Sequence, residues 1–250
     1  MEILQNKTQI KNARSELVRK GVSAIDSPIR AFMRRLGLVE GVGVGDYIKS
    51  WDLLSSVTFL EQHVKKNEPI LDIGCFASEI LGVLHQLGYQ KLSGVDMNPD
   101  LSKMPYSDQI RYEISDFMKT PFQEASFRAV TAISVIEHGF CSDALLKELS
   151  RLLMPGGFFI ASFDYWPEKI DTSTIKLFGM DWRIFSERDV NDFVQEASEY
   201  GFLPVGKINN TAADKVIHWG GQKYTFGWLV LEKSVSGASA VGGTTSTAEK

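Results

Sequence analysis

A short apolar run that ends in a tight turn constrains this chain more than any other feature. The run covers 69–73 and leads through Gly74 to a helix start near Glu79. A second apolar run, 92–95, ends in Asp96, about 20 residues past the turn, which is the spacing of a nucleotide-binding strand–helix–strand unit. Free N–H groups at the turn suit an anionic part of a ligand, and the carboxylate suits ribose hydroxyls. The pattern predicts a site for a nucleoside-like cofactor.

Composition narrows the class of protein. The chain has 250 residues, of which 44% are hydrophobic and 23% charged, and a net charge of −4. This is the profile of a one-domain globular protein, and the acidic balance argues against a nucleic-acid partner. The first residues lack a signal-peptide layout, no apolar run could span a bilayer, and Cys75 and Cys141 imply no disulfide framework. We therefore expect a cytoplasmic monomer or homodimer with no membrane partner.

Residues 1–66 are predicted to form a helical extension or lid. Apolar residues recur at helical spacing in two segments before position 40, namely Ile10, Ala13, Leu17 and Val18, and then Ile29, Phe32, Met33 and Leu36. Ser27 and Pro28 resemble a helix start. The glycine-rich stretch 41–46 follows no strand, so we interpret it as a flexible connection or a hinge over the site. A helix is predicted over 47–63, with Trp51, Leu54, Val57 and Leu60 on one stripe.

Strands and helices alternate over 67–232. Strands are predicted at 70–73, 91–96, 110–115, 129–136, 157–163, 202–208 and 224–231, and helices at 79–87, 145–153 and 186–200. Such alternation is typical of an α/β fold whose mostly parallel sheet is covered by helices on both faces. The last two strands are joined by a polar, glycine-containing link and are expected to be antiparallel. Residues 233–250 are rich in Ser, Gly, Ala and Thr, which predicts a disordered tail.

Four blocks carry a resemblance to a known family. They are 71–75 (LDIGC), 94–98 (GVDMN), 112–117 (YEISDF), and 127–138 (FRAVTAISVIEH) together with 153–157 (LMPGG). In this order and at these distances, the chain resembles a class I S-adenosylmethionine-dependent methyltransferase of the broad small-molecule type. The resemblance implies a Rossmann-like, seven-stranded, mostly parallel sheet with a reversed last strand, and the N-terminal helices would be additional to it.

The resemblance also implies which residues bind the cofactor S-adenosylmethionine. Their roles are to shape the turn, to accept hydrogen bonds from the ribose and the adenine, or to line the site, and the set is Asp72, Gly74, Cys75, Phe76, Asp96, Met97, Asp116, Phe117 and Ser134. The alternatives are a plain strand-to-helix turn, a solvated carboxylate and an ordinary turn aspartate. Phe76 and Ser78 stand where the family usually has glycine, so Phe76 is expected to keep an ordinary φ and to turn its side chain off the cofactor.

Two residues after the fourth predicted strand are candidates for catalysis. His138 is the first candidate for a general base, because its ordinary pKa lies near neutrality, and Glu137 would orient it or contact the cofactor. The alternative is a histidine that only caps or packs at a helix start. No metal site is expected, since no His/Cys cluster or close carboxylate pair stands in the sequence.

Aromatic residues beside carboxylates suggest where an acceptor binds. The acceptor is expected near Asp164, Tyr165, Trp166 and Trp182, where rings suit the C–H faces of a sugar and carboxylates suit its hydroxyls. The predicted reaction is O-methylation of a small molecule or of a sugar or glycan hydroxyl. Methylation at carbon or nitrogen, or a relative that binds the cofactor without turnover, remains open.

Overall fold

The computed structural model describes residues 1–23, 25, 28–39, 41–177 and 179–235. The predicted N-cap Ser27 and the greater part of the predicted tail, 236–250, lie outside these ranges. Strands and helices alternate along most of the described chain, as the sequence predicts.

The strands form one large sheet and a small hairpin. The elements are β1 (Glu2–Ile3), β2 (Ile70–Ile73), β3 (Leu92–Asp96), β4 (Arg111–Ile114), β5 (Phe127–Ile133), β6 (Leu153–Tyr165), β7 (Lys176–Leu177), β8 (Met180–Asp181), β9 (Phe202–Pro204), β10 (Ile217–Trp219) and β11 (Gln222–Lys233). Seven of them follow the order β1-β11-β6-β5-β2-β3-β4, while β9 and β10 also pair with β11, and β7 pairs with β8. The run from β6 to β4 is parallel and β11 is reversed, as predicted.

The helices cover both faces of this sheet. They are α1 (Lys7–Arg19), α2 (Pro28–Arg35), α3 (Ser50–His63), α4 (Ile80–Gln86), α5 (Ser142–Leu152) and α6 (Glu187–Glu199), and 3-10 turns span Tyr47–Lys49 and Pro99–Lys103. Adjacent residues of β2 point to opposite faces, so Ile70 packs in the core with α1, α3 and α4, while Leu71 packs in the core with α5 and α6. Burial on both faces explains why the parallel strands are continuous apolar runs.

The amino terminus differs from the sequence prediction. Only helices were predicted there, yet β1 pairs antiparallel with β11, with Ile3 opposite Gly227. Leu4 N donates to Phe226 O at 2.9 Å. A two-residue strand has no detectable period, so the prediction missed it. The first residues are thereby part of the main sheet.

One predicted strand boundary and one predicted packing face also differ from the structure. The fourth predicted strand, 129–136, ends at Ile133, because Ser134 adopts a φ of +54° that breaks the extended backbone. In α2 the predicted apolar stripe is exposed rather than packed, with Ile29 at 73% and Phe32 at 61% of their accessible surface. The helical spacing of this stripe was correct, but spacing alone does not say what a face packs against.

Candidate active site

The site lies at β2, where the strand order of the sheet reverses. The chain leaves β2 through α4 to β3 on one side, and it later returns to β5 on the other side of β2. The carboxyl ends of β2 and β5 therefore border the crevice in which open α/β sheets bind ligands. Gly74 follows β2 and Ser134 follows β5 at this edge.

The turn after β2 is tightly packed. Gly74 has a φ of +65°, and its N–H donates to Val95 O at 2.8 Å. A Cβ atom at this position would lie 2.6 Å from Val135 Cγ2, so only glycine fits without displacement. Phe76 keeps an ordinary φ, as expected, and the left-handed conformation falls instead on Ala77, at +60°. The turn therefore keeps a left-handed residue although it lacks the family's later glycines.

Two of the predicted cofactor residues, Asp72 and Cys75, have buried side chains. Asp72 is buried and accepts a hydrogen bond from Thr131 Oγ1 at 2.7 Å. Burial raises the pKa of Asp72 to about 7. Cys75 is also buried, and burial raises the pKa of its thiol, which makes it a poor nucleophile. Neither residue borders the two cavities described below.

The strand-end acid Asp96 is joined to this turn. Its Oδ2 accepts a hydrogen bond from Phe76 N at 3.0 Å, and its Oδ1 accepts one from Asn98 N at 2.9 Å. Met97 beside it is 63% exposed. Ser115 N donates to Asp96 O at 3.0 Å, which brings the following Asp116 close to the same edge.

The loop after β4 supplies the last two predicted cofactor residues. Asp116 is exposed, and its Oδ1 accepts a hydrogen bond from Met118 N at 2.8 Å. Phe117 beside it is half-buried against the core. The structure therefore gathers Gly74, Phe76, Asp96 and Asp116 along one edge, and it leaves this end of the edge open to solvent.

Two adjoining cavities open at the carboxyl edge. The first, of about 280 Å³, is called the turn cavity and is bordered by Gly45, Asp46, Lys49, Leu53, Gly74, Phe76–Ile80, Ile133 and Ser134. The second, of about 380 Å³, is called the acidic cavity and is bordered by Asp46, Ile48, Lys49, Phe76, Ser134, Glu137, His138, Asp164, Ile217, Trp219, Tyr224 and Phe226. They share Asp46, Lys49, Phe76 and Ser134, so a ligand in one would meet a ligand in the other at these residues.

Two buried carboxyl groups border the acidic cavity. Glu137 and Asp164 are 1% and 3% exposed. Asp164 Oδ2 accepts a hydrogen bond from Trp182 Nε1 at 2.8 Å. Glu137 Oε2 and Asp164 Oδ1 have no hydrogen-bond partner within the described part of the chain. Burial raises the pKa of both groups, and the charge of Asp164 raises the pKa of Glu137 further.

His138 borders the same cavity and is uncharged at neutral pH. Burial and the nearby Lys49 ammonium lower its pKa to about 4. The prediction of His138 as the base assumed an ordinary pKa near neutrality, so the imidazole is a weaker base than that prediction required. Glu137 is the other candidate for proton transfer, because a raised pKa makes its carboxylate a stronger base than an ordinary one.

The predicted acceptor residues fall into two groups. Asp164 borders the acidic cavity, and Trp182 is buried behind it as its hydrogen-bond donor. Tyr165 is buried and donates to Asn210 O at 2.8 Å. Trp166 has the Lys215 ammonium 4.6 Å from its ring centroid. The last two residues do not border either cavity.

Several residues of the site were not predicted. Lys49 ends the 3-10 turn before α3, and Trp219, Tyr224 and Phe226 come from the last hairpin. Asp52 lies near Lys49 in the first turn of α3, whose sequence pattern indicates only a core helix. Asp52 is fully buried and accepts a hydrogen bond from Ser162 Oγ at 2.7 Å. An aspartate inside the apolar run 51–54 was the available signal, since a charged residue is rarely buried without a purpose. Burial raises the pKa of Asp52 to about 6.

The described residues contain neither a metal-binding cluster nor a membrane-spanning helix. In these ranges, no group of three or more His, Cys, Asp or Glu side chains is arranged to hold a metal ion. None of their helices has both the length and the apolar content that crossing a membrane requires.

Known proteins share parts of this sequence. Residues 71–161 match the family described as methyltransferase domain. A sterol 4-C-methyltransferase of Caenorhabditis elegans is 30% identical over 105 residues, which is 39% of this chain and 31% of that protein. A ubiquinone biosynthesis O-methyltransferase of Xanthomonas oryzae is 28% identical over 106 residues, which is 39% of this chain and 44% of that protein. The chain thus spans less than half the length of these curated relatives.

Solved structures agree on the fold. The geranyl diphosphate C-methyltransferase of Streptomyces coelicolor, determined with Mg²⁺, geranyl diphosphate and S-adenosyl-L-homocysteine, superposes with a TM-score of 0.54 at 15% identity. The match covers 83% of this chain and 99% of that one. Residues 71–161 therefore match a methyltransferase domain, and the fold built around them is the one seen in solved S-adenosylmethionine-dependent methyltransferases.

Proposed function

We propose that this chain is an S-adenosylmethionine-dependent methyltransferase that acts on a hydroxyl group of a small molecule, with a sugar or glycan as the favoured acceptor. The observation that carries the proposal is the pair of adjoining cavities at the carboxyl edge. One is bordered by the turn at Gly74, and the other by the buried Glu137 and Asp164. This is the division of space that a cofactor and an acceptor need when they must meet at one point.

The residues present fit the cofactor. The half-buried Asp96 lies beside the turn at Gly74, because its carboxylate accepts a hydrogen bond from Phe76 N. Asp96 would hold the ribose, Asp116 and Phe117 the adenine, and the turn with Ser134 the methionine part. When bound, S-adenosylmethionine supplies a methyl group already activated on a sulfonium sulfur, so the protein need not supply a strong acid or a metal.

The extension of residues 1–66 supports this arrangement as a proposed lid beside the domain 67–232. Gly45 N donates to Ala77 O at 2.9 Å, which ties the glycine-rich connection to the cofactor turn. Asp46 and Lys49 border both cavities. The extension would therefore exclude water from the point where the two ligands meet.

The buried acids favour a hydroxyl acceptor. Glu137 Oε2 and Asp164 Oδ1, both without a partner in the described chain, accept hydrogen bonds but cannot donate them when ionised. An acceptor that brings O–H donors would satisfy them, whereas an entirely apolar acceptor would leave them buried and unsatisfied at a cost of about 1–3 kcal/mol each. Trp219, Tyr224 and Phe226 would pack against the C–H face of a sugar ring.

Proton transfer is the remaining task of the protein. If the acceptor oxygen takes the methyl group, the bond from the methyl carbon to the sulfonium sulfur would break and its electron pair would go to the sulfur. The hydroxyl proton would have to leave as well, and Glu137 Oε2 would take it. His138 is the alternative base and borders the same cavity. Such a base contributes about 10²–10⁴-fold to the rate. Aligned positioning in the two cavities would contribute roughly 7–11 kcal/mol.

Methylation at carbon is the second candidate. The aromatic wall of Trp219, Tyr224 and Phe226 could face a positive charge that develops on a carbon skeleton. Sterol C-methyltransferases stand among the relatives by name. This candidate predicts transfer to an apolar acceptor that lacks a hydroxyl at the reacting position.

Mass-spectrometric detection of methyl transfer to a panel of sugars and nucleotide sugars tests the proposal. We expect the wild type to add one methyl group to an oxygen, and Glu137→Gln to reduce the rate by about 10²-fold or more. Glu199→Gln, an exposed acid on α6, is the matched control. Transfer to carbon would favour the second candidate. Cofactor binding with no transfer to any compound would favour a relative without turnover.

A further inference from the structure

The N-terminal extension places one positively charged side chain, that of Lys49, among the residues that border both cavities. Lys49 is the last residue of a 3-10 turn whose first N–H groups are capped by Asp46, with Ile48 N donating to Asp46 Oδ1 at 3.0 Å. The next residue, Ser50, is fully buried and accepts a hydrogen bond from Arg14 Nε at 2.9 Å. The backbone on both sides of Lys49 is thus fixed.

The side chain of Lys49 points between the cavities. Its ammonium donates to Ser134 Oγ and lies 3.6 Å from the centroid of the Phe226 ring. Of the described residues that border either cavity, Lys49 is the only lysine or arginine. The ammonium therefore stands where the cofactor and the acceptor would meet.

The groups around this ammonium are mainly acidic. The ionisable residues that face it from the neighbouring elements are Asp46, Asp52, Glu137, His138, Asp164 and Tyr224. Three of the carboxyl groups, those of Asp52, Glu137 and Asp164, are almost fully buried. Several buried acids around one ammonium cannot all ionise without it, because a buried charge needs a nearby countercharge.

We infer that Lys49 is a positioning residue whose ammonium favours the ionised form of the Glu137–Asp164 pair, so that the pair can take the proton of the acceptor hydroxyl. The inference rests on the proposed function, since it assigns the control of the same proton acceptor. An ammonium near two carboxyls favours their charged form, and it disfavours the charged form of His138. Lys49 would thereby select the carboxyl pair over the imidazole as the base.

The test measures ionisation directly and needs no acceptor. Carbon-13 NMR of the Glu and Asp side-chain carboxyls follows the titration of the pair, with signals assigned through Glu137→Gln and Asp164→Asn. We expect Lys49→Met to raise the apparent midpoint of the pair by about one pH unit or more. Lys49→Arg retains the charge and should keep the midpoint near that of the wild type.

A matched control separates this effect from a general loss of a lysine. Lys66 also lies over an aromatic ring, 3.8 Å from the centroid of Tyr89, but outside both cavities. Lys66→Met should leave the midpoint of the pair unchanged. An unchanged midpoint in Lys49→Met, or an equal rise in Lys66→Met, would overturn the inference. Lys49→Gln replaces the methionine variant if that variant does not fold.

The two proposals can fail separately. If calorimetry finds no binding of S-adenosylmethionine to the wild type, the proposed function is wrong, and the NMR titration still reports whether Lys49 controls the pair. If the cofactor binds and the midpoint does not move, only the role of Lys49 is wrong. Once an acceptor is known, Lys49→Met should also shift the acidic limb of the rate profile to higher pH by the same amount.

Discussion

At the scale of single residues, the site depends on a few positions with a particular backbone conformation or charge. Gly74 and Asp96 were predictable, because a turn and a strand-end acid are local features of the chain with a fixed spacing. Lys49 and Tyr224 were not predictable, since they meet the acids only after distant elements pack together. The raised pKa of Glu137 and the lowered pKa of His138 likewise follow from burial, which sequence does not report.

Gly74→Ala tests the packing of the turn. The new Cβ would meet Val135 at 2.6 Å, and the φ of +65° is strained for alanine. We expect a loss of unfolding free energy about 1–3 kcal/mol larger than in Gly88→Ala, together with weaker cofactor binding. Gly88 has a φ of +87°, and nothing lies within 4 Å of the place where a Cβ would stand, so it shares the strain but not the clash. Equal losses in the two variants, measured by denaturant unfolding, would contradict this account.

At the scale of elements, the extension is held to the segment between β2 and α4 by a buried ion pair. Arg14 of α1 and Glu79 before α4 form two hydrogen bonds, of 2.7 and 2.8 Å, and their side chains are 9% and 4% exposed. Helices α1 and α3 were predictable from apolar spacing. Strand β1 and this pairing were not, because both depend on contacts between residues far apart in the chain.

Arg14→Met tests the ion pair. Removal of the guanidinium takes away the ion pair and two hydrogen bonds that Arg14 gives to the buried Glu79 carboxylate, which we expect to lower the free energy of unfolding by about 3–5 kcal/mol. Arg19→Met is the control, since Arg19 pairs with Glu16 on the surface and should change stability by less than about 1 kcal/mol. The double variant Arg14→Met/Glu79→Met should be more stable than Arg14→Met alone. Similar losses in Arg14→Met and Arg19→Met, in urea titrations, would argue against an anchoring role.

At the scale of the whole molecule, buried acids make stability depend on pH. Asp52, Asp72, Glu137 and Asp164 all have raised pKa values in the folded protein. At these four groups the folded state holds more protons than the unfolded state, so their contribution to stability falls as the pH rises through the folded pKa. His138, with a lowered pKa, opposes this trend only below about pH 6.5.

Asp72→Asn isolates one of these contributions. Its folded pKa of about 7 lies well above the ordinary value near 3.9. The wild type should therefore lose about 2 kcal/mol more than the variant between pH 5.5 and 7. Chemical denaturation of both proteins without ligand measures this difference. Parallel pH profiles for the two proteins would mean that Asp72 is already ionised in the folded state.

More of the fold than of the candidate site could be predicted from the sequence. The order of apolar runs and helices indicates the parallel sheet, and a reversed last strand follows from the family resemblance. The acidic cavity could not be predicted, because its walls come from the extension, from the loop after β5, from β6 and from the last hairpin. No local pattern links Asp46, Glu137, Asp164 and Phe226.

Calorimetric titration with S-adenosylmethionine, its demethylated product and NAD shows directly whether this chain binds the proposed cofactor. We expect one-to-one binding of the first two compounds and none of NAD, with binding lost in Asp96→Ala because the ribose loses its hydrogen-bond acceptor. Asp100→Ala, in the exposed turn that follows, should bind like the wild type. Binding of NAD alone, or an unchanged affinity for S-adenosylmethionine in Asp96→Ala, would contradict this expectation.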